Sequence, residues 1–116
     1  MSNAGLLVGW TRAYTGKEQV ALSKFGEYLG YLTKLVQEKH IESFEPVIVR
    51  PHGGDLNGFI LVRADAAKLG TLRQTDQWKD WEAIGSVLLQ GFGVIECGLG
   101  GGVADFMGRF QKHLNV

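Results

Sequence analysis

The residues able to do chemistry sit in two short stretches, Arg12-Ala13-Tyr14 and Arg50-Pro51-His52-Gly53-Gly54-Asp55. Two guanidiniums beside a phenol, an imidazole and a carboxylate can fix an anionic substrate through charge-assisted hydrogen bonds. In that set His52 is the candidate general acid or base, and Asp55 and Tyr14 are the other catalytic candidates. Arg12 and Arg50 are the substrate-binding candidates. The same residues also suit a plainer role, in which the arginines rim an interface and His52 and Asp55 shape a solvated turn around Gly53-Gly54. Trp10 and Gln90 complete the substrate-binding set. Gln90 is the one mid-strand polar group of an aromatic sheet face, where it either orients a ligand or spans a subunit contact.

Other motifs point nowhere specific. Gly98-Leu99-Gly100-Gly101-Gly102 stands between a strand and a helix, as a phosphate loop does. It lacks the Lys-Ser/Thr of a P-loop, and Val103 breaks the G-x-G-x-x-G spacing, so it reads as a hinge. His40, His52 and His113 fall on separate elements without metal-ligand spacing, so neither a metal nor a cofactor is expected. Cys97, the single cysteine, excludes an intrachain disulfide and makes a reducing, cytoplasmic setting the default. It reads as a small buried hydrophobe. Trp78 and Trp81, three apart, read as core. Arg63 and Glu96, at strand ends, read as a cross-sheet ion pair.

The elements that must position these groups follow from periodicity. Gly5 to Arg12 reads as a first strand. Thr15 and Glu18 give a capping box, and Leu22, Phe25, Leu29, Leu32 and Val36 recur at helical spacing, so Gly16 to about Lys39 reads as an amphipathic helix. Its Gly26 and Gly30 suggest close approach of another backbone. Ile41 to Arg50 and Gly58 to Arg63 read as a hairpin with an extended tip, Pro46 placing the first of the two at an edge. Asp65 and Thr75 are candidate caps of short helical segments. Val87 to Cys97 reads as the fourth strand. The chain thus divides into a possible tag or disordered start at 1–4, a domain at 5–97, a hinge at 98–102 and a docking helix at 103–116. That helix carries the apolar stripe Val103, Phe106, Met107, Phe110 and Leu114.

The order β-α-β-β-α-β is the ferredoxin-like arrangement of an α+β fold, with an antiparallel sheet in the order 4-1-3-2. Its helices cover one face. Alternation along the strands assigns Trp10, Phe44, Phe59 and Phe92 to the other, and a bare apolar face of that size marks an interface or a binding groove. The strand order, the long first helix, this aromatic face and the segment Leu72-Arg73-x-Thr75-x-x-Trp78-x-x-Trp81 resemble the dimeric α/β-barrel superfamily over residues 5 to 97. The resemblance implies a homodimer with facing sheets, and in some members a ligand pocket between sheet and helices. It also implies a range of activities that includes cofactor-free monooxygenases and isomerases.

Composition narrows the partners. Twelve Lys+Arg balance twelve Asp+Glu in 116 residues, six of each sign in each half, which disfavours nucleic acid or an anionic membrane as partner. The sheet lacks the aromatic-plus-basic pattern of RNA readers, and no apolar run approaches the ~20 residues of a membrane span. Two functions stay open. One is a structural or small-ligand-binding module; the other is a cofactor-independent monooxygenase or isomerase acting on a small aromatic or anionic substrate.

Overall fold

A computed structural model describes residues 2–115. The elements run β1 (Ala4–Trp10), β2 (Arg12–Ala13), α1 (Glu18–Gln37), β3 (Ser43–Ile48), β4 (Gly58–Ala64), α2 (Ala66–Arg73), α3 (Asp76–Leu88), β5 (Leu89–Gln90), β6 (Gly93–Gly98) and α4 (Gly101–Lys112). The fold is α+β. Its main sheet is four-stranded, in the order β3-β4-β1-β6 with every neighbouring pair antiparallel. The two-residue strands β2 and β5 pair separately.

Local chemistry explains most of the element ends. The Thr75 hydroxyl accepts from the Trp78 N–H at 3.3 Å and caps α3. No such cap forms on α1. There Lys17 takes the cap position, and the Glu18 carboxylate accepts from the Gly16 N–H at 2.8 Å, so the capping box expected from Thr15 is absent. The far end of α1 closes as a Schellman turn: Lys39 adopts φ 63°, and the His40 N–H reaches the Leu35 carbonyl at 2.9 Å. Gly26 and Gly30 face open space and admit no neighbouring backbone, contrary to expectation.

The fourth strand is also shorter than its apolar run suggests. Residues 87 and 88 finish α3, Leu89-Gln90 pair with Arg12-Ala13, and Gly91 turns at φ 65° before β6 begins. An apolar stretch of this kind suits a buried helix end as well as a strand, and capping and turn geometry decide between them.

Register corrects the assignment of faces. Directly opposed residues of an antiparallel pair share a face. Trp10 opposes Gly58, Val8 opposes Ile60 and Val94, and Leu6 opposes Val62, which opposes Phe44 in turn. These residues all point at the helices. Leu6, Val8, Ile60 and Val62 are fully buried with Leu32, Leu35, Leu69, Leu72 and Trp78, and Trp10, Phe44 and Phe92 pack onto that core. Of the four aromatics expected on the open face only Phe59 lies there, since it opposes Gly9 and Val47. The open face is mainly aliphatic instead, carrying Leu7, Val47, Leu61 and Ile95 beside Phe59.

The same register separates Arg63 from Glu96. Arg63, on the open face, pairs with Glu45 at 3.2 Å; Glu96, on the helix side, meets Arg73 at 3.7 Å.

At the chain start, the Asn3 carbonyl accepts from the Leu99 N–H at 2.9 Å, and Met1 lies outside the described residues. The last helix, α4, leaves the sheet at Gly98 and projects. Val103, Phe106, Met107, Phe110 and Leu114 are all exposed. The radius of gyration, 15.6 Å, exceeds the roughly 13 Å of a compact chain of this length. Among the described residues no helix is long and apolar enough to cross a membrane.

Candidate functional site

Every buried residue of α1 (Tyr31, Leu32 and Leu35) belongs to its C-terminal half. The N-terminal half stands off from the sheet, with Leu22 69% exposed. The gap that this leaves is a cavity of about 460 Å³ between α1, α3 and the helix side of the sheet. Val8, Ile60 and Val94 line its floor, Phe25 and Tyr28 one wall, and Trp81, Ile84 and Leu88 the other. Trp10 and Phe92 also line it.

The aromatic side chains hold one another. Trp10 and Phe25 meet edge-to-face with centroids 5.7 Å apart, and Tyr28 meets Trp81 at 5.2 Å. Such pairs contribute about 0.5–1.5 kcal/mol beyond area burial. Two rings rest on glycines. Trp10 lies against Gly58, where an added Cβ would stand 2.7 Å from Cε2, and Phe92 lies against Gly85.

Polar groups around the cavity are mostly engaged. Glu82 accepts from the Trp78 indole N–H at 2.8 Å and from Arg73 at 3.1 Å, which satisfies a buried donor and a cation together. Lys24 pairs with Glu27 at 3.4 Å. Burial, reinforced by Tyr31 and Glu82, pushes the Tyr28 phenol far above its ordinary value, so Tyr28 is a neutral hydroxyl here.

Of the residues named from sequence, Trp10 and Arg12 line the cavity. Gln90 does not; it opposes Arg12 in the small sheet, and its carbonyl accepts from the Thr11 N–H at 2.8 Å. Tyr14 hydrogen-bonds through its backbone to Leu88 at 3.0 Å and leaves its side chain 44% exposed.

His52 serves its own loop. Its Nδ1 accepts from the Gly54 N–H at 3.3 Å, which leaves Nε2 to donate to the Leu56 carbonyl at 2.9 Å. Both ring nitrogens are thereby occupied, and Arg50 and Asp55 are exposed nearby in sequence. Among the described residues no hydrogen bond or ion pair joins any two of Arg12, Tyr14, Arg50, His52 and Asp55. Trp78 is core, as expected, whereas Trp81 lines the cavity. Cys97 is half-buried, and burial raises its thiol. No group of three or more metal-ligating side chains occurs among the described residues.

Sequence reasoning missed Phe25, Tyr28, Trp81 and Phe92 as cavity residues. The available signal was the spacing of Phe25 and Tyr28, which puts two rings on one helix face one turn apart. A scan of family models, a search of curated proteins and a search of solved structures find no match for this chain.

Proposed function

We propose that the protein is a homodimer of the dimeric α/β-barrel kind and that it binds a small, largely apolar ligand in the cavity beneath α1 and α3. The cavity carries this reading. Its 460 Å³ falls within the roughly 300–1,000 Å³ of small-molecule sites, and its lining is hydrocarbon and aromatic with a few charged groups. A monomer that needed α1 only for its core would gain by closing this gap, because unfilled apolar volume costs stability.

Two surfaces support the homodimer. The open sheet face presents Leu7, Val47, Phe59, Leu61 and Ile95, and α4 with the turn after it presents five further apolar side chains to water. Contiguous apolar surface of this kind favours self-association. Binding is favoured over catalysis because the wall's carboxylates are already committed, Glu82 to Trp78 and Arg73 and Glu18 to Gly16.

The test is a thermal-shift screen of small aromatic and aliphatic metabolites against the wild type and Ala21→Trp. Ala21 lines the cavity on α1, so the larger side chain fills the space without removing an existing contact. A ligand at 100 times its dissociation constant adds about 2.7 kcal/mol. Hits should stabilise the wild type and not the filled variant. Equal shifts in both proteins would place binding elsewhere.

A further inference from the structure

Four charged residues line the cavity: Arg12, Glu18, Lys24 and Glu82. Three have partners already, as described above, Glu18 with a backbone N–H, Lys24 with Glu27, and Glu82 with Arg73 and the Trp78 indole. The Arg12 guanidinium has no ion-pair or hydrogen-bond partner among the described residues. It sits on β2, directly after β1, where it is solvent-exposed and lines the cavity. An arginine in this position presents a planar fork of donors matched to a carboxylate, beside a wall of rings.

We infer that the ligand is an aromatic monocarboxylate, its rings seated among Trp10, Phe25, Tyr28, Trp81 and Phe92 and its carboxylate held by Arg12 at the cavity mouth. This inference rests on the ligand-cavity reading above. Arg12 is a single guanidinium, and Glu18 keeps a negative charge at the same cavity, so a single carboxylate is matched and a phosphate dianion is not. The rings favour an aromatic body because edge-to-face contacts add to simple burial. A cationic ligand would find Glu82 already paired with Arg73, and Glu18 exposed to solvent and accepting from the Gly16 N–H.

The test uses three probes of one shape: naphthalenecarboxylate, its neutral carboxamide, and the saturated decalincarboxylate. Each is titrated calorimetrically into the full-length wild type, Arg12→Gln and Arg12→Lys. Arg12 is exposed, so these variants should keep the wild-type melting temperature. The wild type should bind the naphthalenecarboxylate most tightly. Arg12→Gln should weaken that probe by about tenfold or more, as expected for loss of a charge-assisted hydrogen bond, and Arg12→Lys by less. The carboxamide should change by less than about threefold, because it never had the ion pair.

If Arg12→Gln weakens carboxylate and carboxamide alike, or neither, Arg12 does not read the charge and the inference fails while the cavity reading stands. If decalincarboxylate binds as tightly as the aromatic probe, the aromatic assignment fails. If the wild type binds none of the three, the cavity reading fails and takes this inference with it.

Discussion

The ring of Phe92 lies so close to Gly85 that a Cβ at position 85 would stand 2.6 Å from the ring's Cζ. Glycine is thus favoured in the last turn of α3, at a position where alanine would otherwise favour the helix by up to about 1 kcal/mol. The missing methyl lets Phe92 tuck against the helix and line the cavity rather than fill it.

Alanine substitution at three helical glycines should therefore give opposite signs. Gly85→Ala displaces a packed ring and should lower stability by about 1–3 kcal/mol, the usual cost of overpacking. It should also alter probe binding in the cavity. Gly26→Ala and Gly30→Ala meet nothing within 4 Å and should each raise stability by about 0.5–1 kcal/mol. Chemical denaturation of the three variants measures this. A stabilised Gly85→Ala would mean that Phe92 moves away at no cost.

The register makes Ile95, on the open face, the residue that reports on a dimer, and Trp10 is unsuited to that role. Trp10 packs beneath α1, so its replacement by aspartate should damage the core and the cavity whatever the oligomeric state. Ile95 is 59% exposed on the open face, and Ile95→Asp should leave the fold intact. A standard interface buries about 800 Å² per partner, and a charge near its centre is not tolerated. Sedimentation of Ile95→Asp should show a folded monomer where the wild type is a dimer. An unchanged dimer would remove the open face from the interface.

Much of the fold was legible in the sequence because helical and strand periodicities are local. The helix stripe Phe25, Leu29, Leu32 and Val36 and the strand alternation of 58–64 needed no knowledge of their neighbours. The relation between strands was not local. Alternation says which residues of one strand share a face, and only register says which residues of two strands do. Trp10 opposes Gly58, so Phe59 falls on the opposite face from Trp10, although each is the aromatic of its strand. For the candidate site, Arg12 and Trp10 were legible as candidates, and both line the cavity. The cavity was not, since it depends on how far the front half of α1 stands off from the sheet. The polar edge assembled less than expected because two backbone groups take up the His52 ring.

Alkaline titration should expose the burial of Tyr28. Its phenol holds a proton well above the ordinary tyrosine value near 10, which the unfolded chain retains. The unfolded state therefore deprotonates first. Stability from this group is complete below about pH 10 and is lost as pH rises toward the higher folded value. Tyr28→Phe should flatten the fall of stability with pH in that range while changing little at neutral pH. If wild type and variant lose stability with the same slope, the phenol is not shielded as the packing of Tyr28, Tyr31 and Trp81 implies.

The α4 helix gives the last test. Twelve residues are too few to hold a helix in water on propensity alone, so packing must sustain it. Within one chain its first turns pack, with Phe106 lying against Gly98 and Gly102 approaching the Asn3 carbonyl. Met107, Phe110 and Leu114 remain 58%, 61% and 68% exposed. In a homodimer the second copy can cover them, which would make α4 part of what holds the subunits together. A chain ending at Gly98 should then dissociate at lower dilution than the full-length protein and lose the concentration dependence of its melting temperature. Phe110→Asp, which keeps the first turns of α4 intact, should weaken association in the same direction. If both proteins associate and melt as the wild type does, the stripe is not covered by a second copy, and the open face of the sheet alone must account for any dimer.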